Sequence, residues 1–231
     1  MKKHVIITGA SRGIGYETAK YLADSGCTIT VIARSEEKLK TLKSHKPENI
    51  FTLPLDITSG EATNRIKEHL KQNSLKIDGF IHNAGLLINK PFAELSDSDW
   101  QSQLDVNIMA PVRLTRDLLP FLNVNAHILN ISTMGGFQGS AKFPGLSAYS
   151  TSKGALSILT ECLAVELADQ NISCNCLCLG AVQTEMLQEA FPGMKAPVEP
   201  EQMGEFVGNF LLNANNLFNG KIIPVALNNP S

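Results

Sequence analysis

Short apolar runs recur along this chain, separated by longer stretches in which apolar and polar residues mix at helical spacing. His4-Val5-Ile6-Ile7 is the first such run, and Ala126-His127-Ile128-Leu129-Asn130-Ile131 is the plainest. A nearly continuous apolar run suits a strand covered on both faces, because a half-exposed strand would alternate. The pattern predicts strands near 4–8, 28–33, 49–55, 78–82, 126–132, 172–179 and 221–226, with helices in most of the intervals. Alternating strands and helices joined by right-handed crossovers predict an α/β fold, a doubly wound parallel sheet of about seven strands flanked by helices.

The first strand runs directly into Thr8-Gly9-Ala10-Ser11-Arg12-Gly13-Ile14-Gly15, and Thr18, Ala19, Leu22 and Ala23 carry a helix onward to Gly26. Glycines there let the backbone turn tightly and approach a pyrophosphate, whose charge would meet the free N–H groups at the helix start. Ligands of such sheets bind beyond the carboxyl ends of the strands. Thr8, Asp56, Asn83, Ser132 and Gly180 all fall at or just after such ends, so the polar positions converge on one crevice.

Tyr149 and Lys153 stand four residues apart among helix formers, so both side chains should share a helix face. A cation about 4–5 Å from a phenol, at an effective dielectric of ~20, favours phenolate by roughly 3–4 kcal/mol. That pairing would lower the tyrosine by about two to three pKa units and make it a proton donor.

Composition narrows the possibilities. With 231 residues, 43% of them apolar, and no proline- or serine-rich linker, positions 1–231 read as one domain. A net charge of −2 gives no electrostatic footprint for nucleic acid, and no apolar run is long enough for a membrane span. Met1-Lys2-Lys3 passes into the first strand without a secretory signal, so a cytoplasmic location is expected. Cys174, Cys176 and Cys178 share a strand face, but residues two apart are nearly 7 Å apart, so core packing is expected rather than a metal site.

On the glycine loop and the Tyr149-to-Lys153 pair, the chain resembles the short-chain dehydrogenase/reductase family, of the carbonyl reductase and 3-oxoacyl-[acyl-carrier-protein] reductase kind. Thr8-Gly9-x-x-x-Gly13-x-Gly15 looks like that family's glycine pattern. Asp56 after the third strand, Asn83-Ala84-Gly85 after the fourth, Asn107, and Gly180-Ala181-Val182-Gln183-Thr184 after the sixth follow in the family's order. The resemblance covers nearly the whole chain and implies a Rossmann-like fold.

By that resemblance Gly9, Ser11, Arg12, Gly13, Ile14 and Gly15 would cradle the cofactor phosphates. Asp56 and Ile57 would close an adenine slot, although Asp56 could instead cap a helix beginning near Ser59. Asn83 would bridge strand ends while Ala84 and Gly85 leave room for the cofactor, and Val182 and Thr184 would hold the nicotinamide half. The tip of the second strand reads Ala33-Arg34-Ser35 with no carboxylate, and Arg12 adds a cation, so NADP(H) is expected over NAD(H). Each arginine–phosphate contact would contribute about 1.5–3 kcal/mol.

The implied reaction is hydride exchange between nicotinamide and a carbonyl or alcohol. Tyr149 would pass the proton, Lys153 would lower its pKa and hold the nicotinamide ribose, and Asn107 would extend a proton relay through a water. Pro111 would help distort the helix after Asn107. His82 stands where relatives commonly carry asparagine, and is expected to be a packed residue. The second donor to the substrate oxygen is ambiguous: aligning on Gly136 selects Thr133, and aligning on Gly135 selects Ser132. Thr133 is the better match, and strand neighbours point to opposite faces, so only one serves.

The loop from Thr133 to Tyr149 would wall the substrate pocket on one side, and Thr184 to Pro200 would form a lid with Met186, Leu187, Phe191 and Met194. Resemblance also implies a homodimer or homotetramer through helices beginning near Asp99 and Tyr149. The expected activity is NADPH-dependent reduction of a small or medium apolar ketone or β-ketoacyl thioester. An NADP(H)-binding sensor with little turnover is the alternative, and the chain is short for the separate substrate domain of a sugar-nucleotide epimerase.

Overall fold

The computed structural model describes residues 2–227; Met1 and the last four positions of the 1–231 span lie outside the described residues. Seven strands form a single parallel sheet in the order β3-β2-β1-β4-β5-β6-β7. They are β1 (His4–Thr8), β2 (Thr28–Ala33), β3 (Ile50–Pro54), β4 (Ile77–His82), β5 (Leu122–Thr133), β6 (Ser173–Leu179) and β7 (Ile222–Val225). The reversal of strand order between β1 and β4 is the switch point of a doubly wound, Rossmann-like sheet, and it opens a crevice beyond the carboxyl ends.

Both faces of the sheet are covered, which is why its strands read as apolar throughout. Val5, Ile7, Ile29 and Val31 turn toward α1 (Gly13–Asp24), α2 (Glu36–His45) and α8 (Pro200–Asn213), in one core. Ile6, Ile32, Phe80 and Ile128 turn the other way, toward α3 (Ala62–Gln72), α5 (Ala110–Leu118) and α6 (Ser147–Glu166). The strand period of two thus divides one run of apolar residues between two cores.

Two shorter helices border the crevice: α4 (Asp97–Leu104), opened by a capping box between Ser96 and Asp99, and α7 (Glu185–Ala190), capped by the Thr184 hydroxyl. Between α4 and α5 one turn, Asp105–Met109, is a π-helix. Pro111 has no N–H to give the Asn107 carbonyl four residues earlier, so the α-helical ladder cannot continue there.

The fifth strand departs most from the expected bounds. It begins at Leu122 rather than 126, because Leu122 pairs with Ile77 before the register shifts between Ile77 and Gly79. Asn125 absorbs the irregularity with a left-handed φ of 65°. That lead-in, Leu122-Asn123-Val124-Asn125, alternates apolar and asparagine residues and so lacks the unbroken apolar run that marks the rest of the strand. Among the described residues, no helix is long and apolar enough to cross a membrane.

Candidate active site

A cleft of about 1040 Å³ runs along the carboxyl ends of the strands, at the upper end of the range for ligand pockets, roughly 300–1,000 Å³. At its glycine-loop end Gly9 adopts φ 73°, and a Cβ there would come 2.6 Å from the Ala84 Cα. A Cβ on Gly15 would come 2.3 Å from the Asn83 Nδ2. The glycine loop therefore lies flat against the end of β4, and only glycine permits it. Asn83 fastens the two, donating from Nδ2 to the carbonyls of Thr8 (3.1 Å) and Gly9 (3.0 Å). Gly9, Ser11, Arg12, Gly13, Ile14, Ala84 and Gly85 line the cleft, and Gly15 supports it from behind.

Asp56 and Ile57 line the neighbouring wall. Asp56 does not cap α3, which starts at Ala62 with Glu61 at its N-cap. Its Oδ1 accepts instead from the Thr58 N–H (2.9 Å) and hydroxyl (2.7 Å), a local turn that holds the carboxyl below its ordinary range. Arg34 is exposed at the tip of β2, and Ser35 is spent capping α2 through the Lys38 N–H. Arg12 is not the free cation that the sequence suggested. Its guanidinium forms a two-pronged ion pair with Glu189 of α7, through Nη1 to Oε1 and through Nη2 to Oε2 at 3.1 Å.

At the other end α6 carries Tyr149 and Lys153 into the cleft. Lys153 is buried, its Nζ donating to the Ile131 carbonyl at 2.8 Å, and burial lowers its pKa to about 8. Tyr149 keeps some surface in the cleft, but protein surrounds most of the phenol, and that dehydration pushes its hydroxyl up to about 12. The expected lowering of Tyr149 is therefore not what the protein by itself shows: burial of the phenol sets the direction.

Ser132 and Thr133, at the end of β5, both reach the cleft lining but are engaged differently. The Ser132 hydroxyl donates to the Lys153 carbonyl at 3.0 Å, whereas the Thr133 hydroxyl accepts from the Gly135 N–H at 3.3 Å and keeps its own hydrogen. Asn107 sits buried in the π turn, binding both backbone groups of Leu86 and donating to the Ser152 hydroxyl at 2.9 Å. Ser152 in turn donates to the Tyr149 carbonyl at 2.8 Å, which ties the π turn to the start of α6.

Gly180, Val182 and Thr184 line the last edge, where Thr184 spends its oxygen on the Leu187 N–H as the α7 cap. Met186, Leu187, Phe191 and Met194 cover one side, and Phe143 and Leu146 from the loop before α6 cover the other. His82 is fully packed, its Nε2 within 2.9 Å of the Thr115 hydroxyl, and burial pushes its pKa down to about 3. Cys174, Cys176 and Cys178 are buried along β6, and the Ser157 hydroxyl lies 3.7 Å and 3.9 Å from the last two sulfurs.

Three residues at or beside the cleft escaped the sequence reading: Lys38, in the first turn of α2, which lines it; Glu189, which lines the groove next to it; and Asn89, whose Nδ2 donates to the Ala190 carbonyl at 2.8 Å. Lys38 could have been found from its place in the first turn after the second strand. The other two carry no local signal.

A short chain dehydrogenase family model matches residues 3–195. The chain belongs to the short-chain dehydrogenase family. It is 34% identical over 197 residues to an oxidoreductase of Escherichia coli (strain K12), YciK, an alignment covering 81% of this chain and 77% of that one. It is 30% identical over 186 residues to nodulation protein G of Rhizobium sp. (strain N33), covering 80% and 75%. Its fold matches a 3-ketoacyl-(acyl-carrier-protein) reductase from Brucella melitensis, solved with NADH, at TM-score 0.88 and 22% identity over 96% of both chains. The protein is thus an oxidoreductase of the short-chain dehydrogenase family.

Proposed function

We propose that this protein is an NADPH-dependent carbonyl reductase, or in reverse an alcohol dehydrogenase. The observation that carries the reading is that Tyr149 and the buried Lys153 line the same cleft as the glycine loop, with Lys153 anchored to the end of β5. A dinucleotide fits this chain's residues because Gly9 and Gly15 let the loop lie flat against Asn83 and Ala84, leaving Gly9, Ser11 and Gly13 to line the cleft beside the start of α1. Gly9 to Gly15, Asp56, Ile57, Ala84, Gly85, Gly180, Val182 and Thr184 would hold it, and Arg34 with Arg12 would meet a 2′-phosphate. When bound, the nicotinamide supplies or accepts the hydride.

Tyr149 holds the proton that neutralises the oxygen of the reduced carbonyl. Thr133 gives the same oxygen a second hydrogen bond, because Ser132 has committed its one hydrogen to the Lys153 carbonyl. Lys153 supplies the charge that draws Tyr149 down from about 12 during proton transfer. Asn107 holds the π turn against α6 and keeps Ser152 and Tyr149 in register.

Apolar lining from Met186, Phe191 and Phe143 favours a small or medium apolar ketone or a β-ketoacyl thioester. We also take the protein to be cytoplasmic and to assemble as a homodimer or homotetramer, a reading supported by Ile158 and Val165, 61% and 79% exposed on α6. A scattering mass of a single chain would remove the oligomer.

The test is NADPH oxidation by the purified protein across ketones, β-ketoesters and diketones, with Tyr149→Phe alongside. Turnover that vanishes in the variant, while NADPH still binds, is the expected result. Tight NADPH binding with no carbonyl reduced would overturn the enzyme reading in favour of a cofactor sensor.

A further inference from the structure

The ion pair between Arg12 and Glu189 joins two elements with different duties. Arg12 closes the glycine loop just before α1, and Glu189 lies near the end of α7, whose Met186 and Leu187 cover the cleft. The pair is forked, Nη1 and Nη2 each meeting one carboxylate oxygen, the same planar geometry in which arginine takes a phosphate. A single guanidinium cannot present that fork to two anions at once.

The residues around the pair set up the competition. A groove of about 780 Å³ holds Arg12, Lys38, Glu185 and Glu189 together beside the glycine loop, and Arg12 and Lys38 also line the main cleft. The end of α7 is tied a second time, one residue on, where Asn89 from the loop after β4 donates to the Ala190 carbonyl at 2.8 Å. So the end of α7 is tied to the glycine loop at Glu189 and to the loop after β4 at Ala190.

We propose that Glu189 is a cofactor-discriminating residue whose carboxylate holds the guanidinium that a 2′-phosphate takes, so that NADP(H) unlatches α7 from the glycine loop whereas NAD(H) leaves it latched. This rests on the reading of Arg12 as a 2′-phosphate ligand. NADP(H) then binds against an internal competitor, and the covering of the substrate end differs between the two cofactors. The Glu189 side chain is 63% exposed, so its removal leaves the core untouched.

The experiment is calorimetric titration of the full chain with 2′,5′-ADP and with 5′-AMP, which differ only in the 2′-phosphate, for wild type, Glu189→Ala, Arg12→Ala and the double variant. Glu189→Ala should tighten 2′,5′-ADP about three- to fivefold, the scale of a partly exposed ion pair, and leave 5′-AMP unchanged. In the Arg12→Ala background, removing Glu189 should change neither. Hydrogen exchange at the Leu187 and Phe191 amides should quicken with 2′,5′-ADP and not with 5′-AMP.

If wild type prefers 2′,5′-ADP and Glu189→Ala leaves that preference and the exchange rates as they were, the latch is overturned while the NADP(H) reading stands. If wild type and Glu189→Ala alike fail to distinguish the two nucleotides, the 2′-phosphate reading falls and takes the latch with it.

Discussion

The Lys153 ammonium donates to the Ile131 carbonyl at 2.8 Å, and one residue further along β5 the Ser132 hydroxyl returns a bond to the Lys153 carbonyl at 3.0 Å. Strand and helix are thus laced together at the point where both reach the cleft. The lysine is held where burial lowers its pKa to about 8, so its charge is costly to the fold.

That cost is measurable. With a native pKa of about 8 against 10.5, the unfolded chain binds the extra proton between those values, so wild-type stability rises with pH through that window. At pH 7 the full penalty of about 3 kcal/mol is present. Lys153→Met should remove it and lose one hydrogen bond of about 1 kcal/mol, a net gain of roughly 1–2 kcal/mol at pH 7 that fades by pH 10. Turnover should disappear. Urea unfolding at both pH values checks this, and a less stable variant at pH 7 would contradict the account.

The two hydroxyls at the end of β5 should separate by function. Thr133→Val should lower kcat by about 100-fold or more, the usual consequence of removing a donor to a developing oxyanion, and Thr133→Ser should keep or raise it. Ser132→Ala should cost about 1 kcal/mol of stability and less than tenfold in kcat, since its bond is to the Lys153 backbone. Steady-state kinetics of the three variants decide it: a Ser132→Ala enzyme as dead as Thr133→Val would assign the donor to the other residue.

Much of this was legible in the chain because burial on both faces leaves a nearly unbroken apolar run, as at Val5-Ile6-Ile7, whose residues go to alternate cores. The start of β5 was not, because Asn123 to Asn125 are placed by a register shift against β4 and not by hydrophobicity. Gly9 and Asn83 could be placed at one crevice from their positions just after strand ends, and Tyr149 and Lys153 on one helix face from their spacing and at that crevice through the family resemblance. The partner of Arg12 could not, because Glu189 lies 177 residues away on a helix whose position depends on the whole fold. Nor could the raised pKa of Tyr149, because its burial depends on neighbours distant in sequence.

Asn107 should matter to stability as well as to turnover. It satisfies the Leu86 N–H at 2.8 Å and the Leu86 carbonyl at 2.9 Å while also reaching Ser152, all in a buried turn. Asn107→Ala strands those groups and should cost about 2–4 kcal/mol. Asn107→Asp keeps the acceptor but sets a carboxylate oxygen against the Leu86 carbonyl, so it should not rescue. Denaturant midpoints for both variants are the check, and a neutral Asn107→Asp would show that only the Leu86 N–H counts.

Acid should unfold this protein early, for a reason distributed over the sheet. His4, His82 and His127 are buried, and burial lowers them to about 4, 3 and 4 from 6.5. Each is neutral in the fold and protonated in the unfolded chain between those limits, so the unfolded state binds more protons and stability falls as pH drops through the window. By pH 5 the loss approaches about 2 kcal/mol per histidine, 1.5 units at 1.36 kcal/mol each. His127 accepts this cost while its ring binds the Leu211 carbonyl at 2.9 Å and Asn175 at 3.0 Å, so it fastens α8 to the sheet. Unfolding free energies at pH 7 and pH 5 should differ by several kcal/mol, and His127→Gln should shrink that difference by about 2 kcal/mol even if it lowers stability at pH 7. An unchanged difference in the variant would mean that His127 is already protonated in the native state at pH 5.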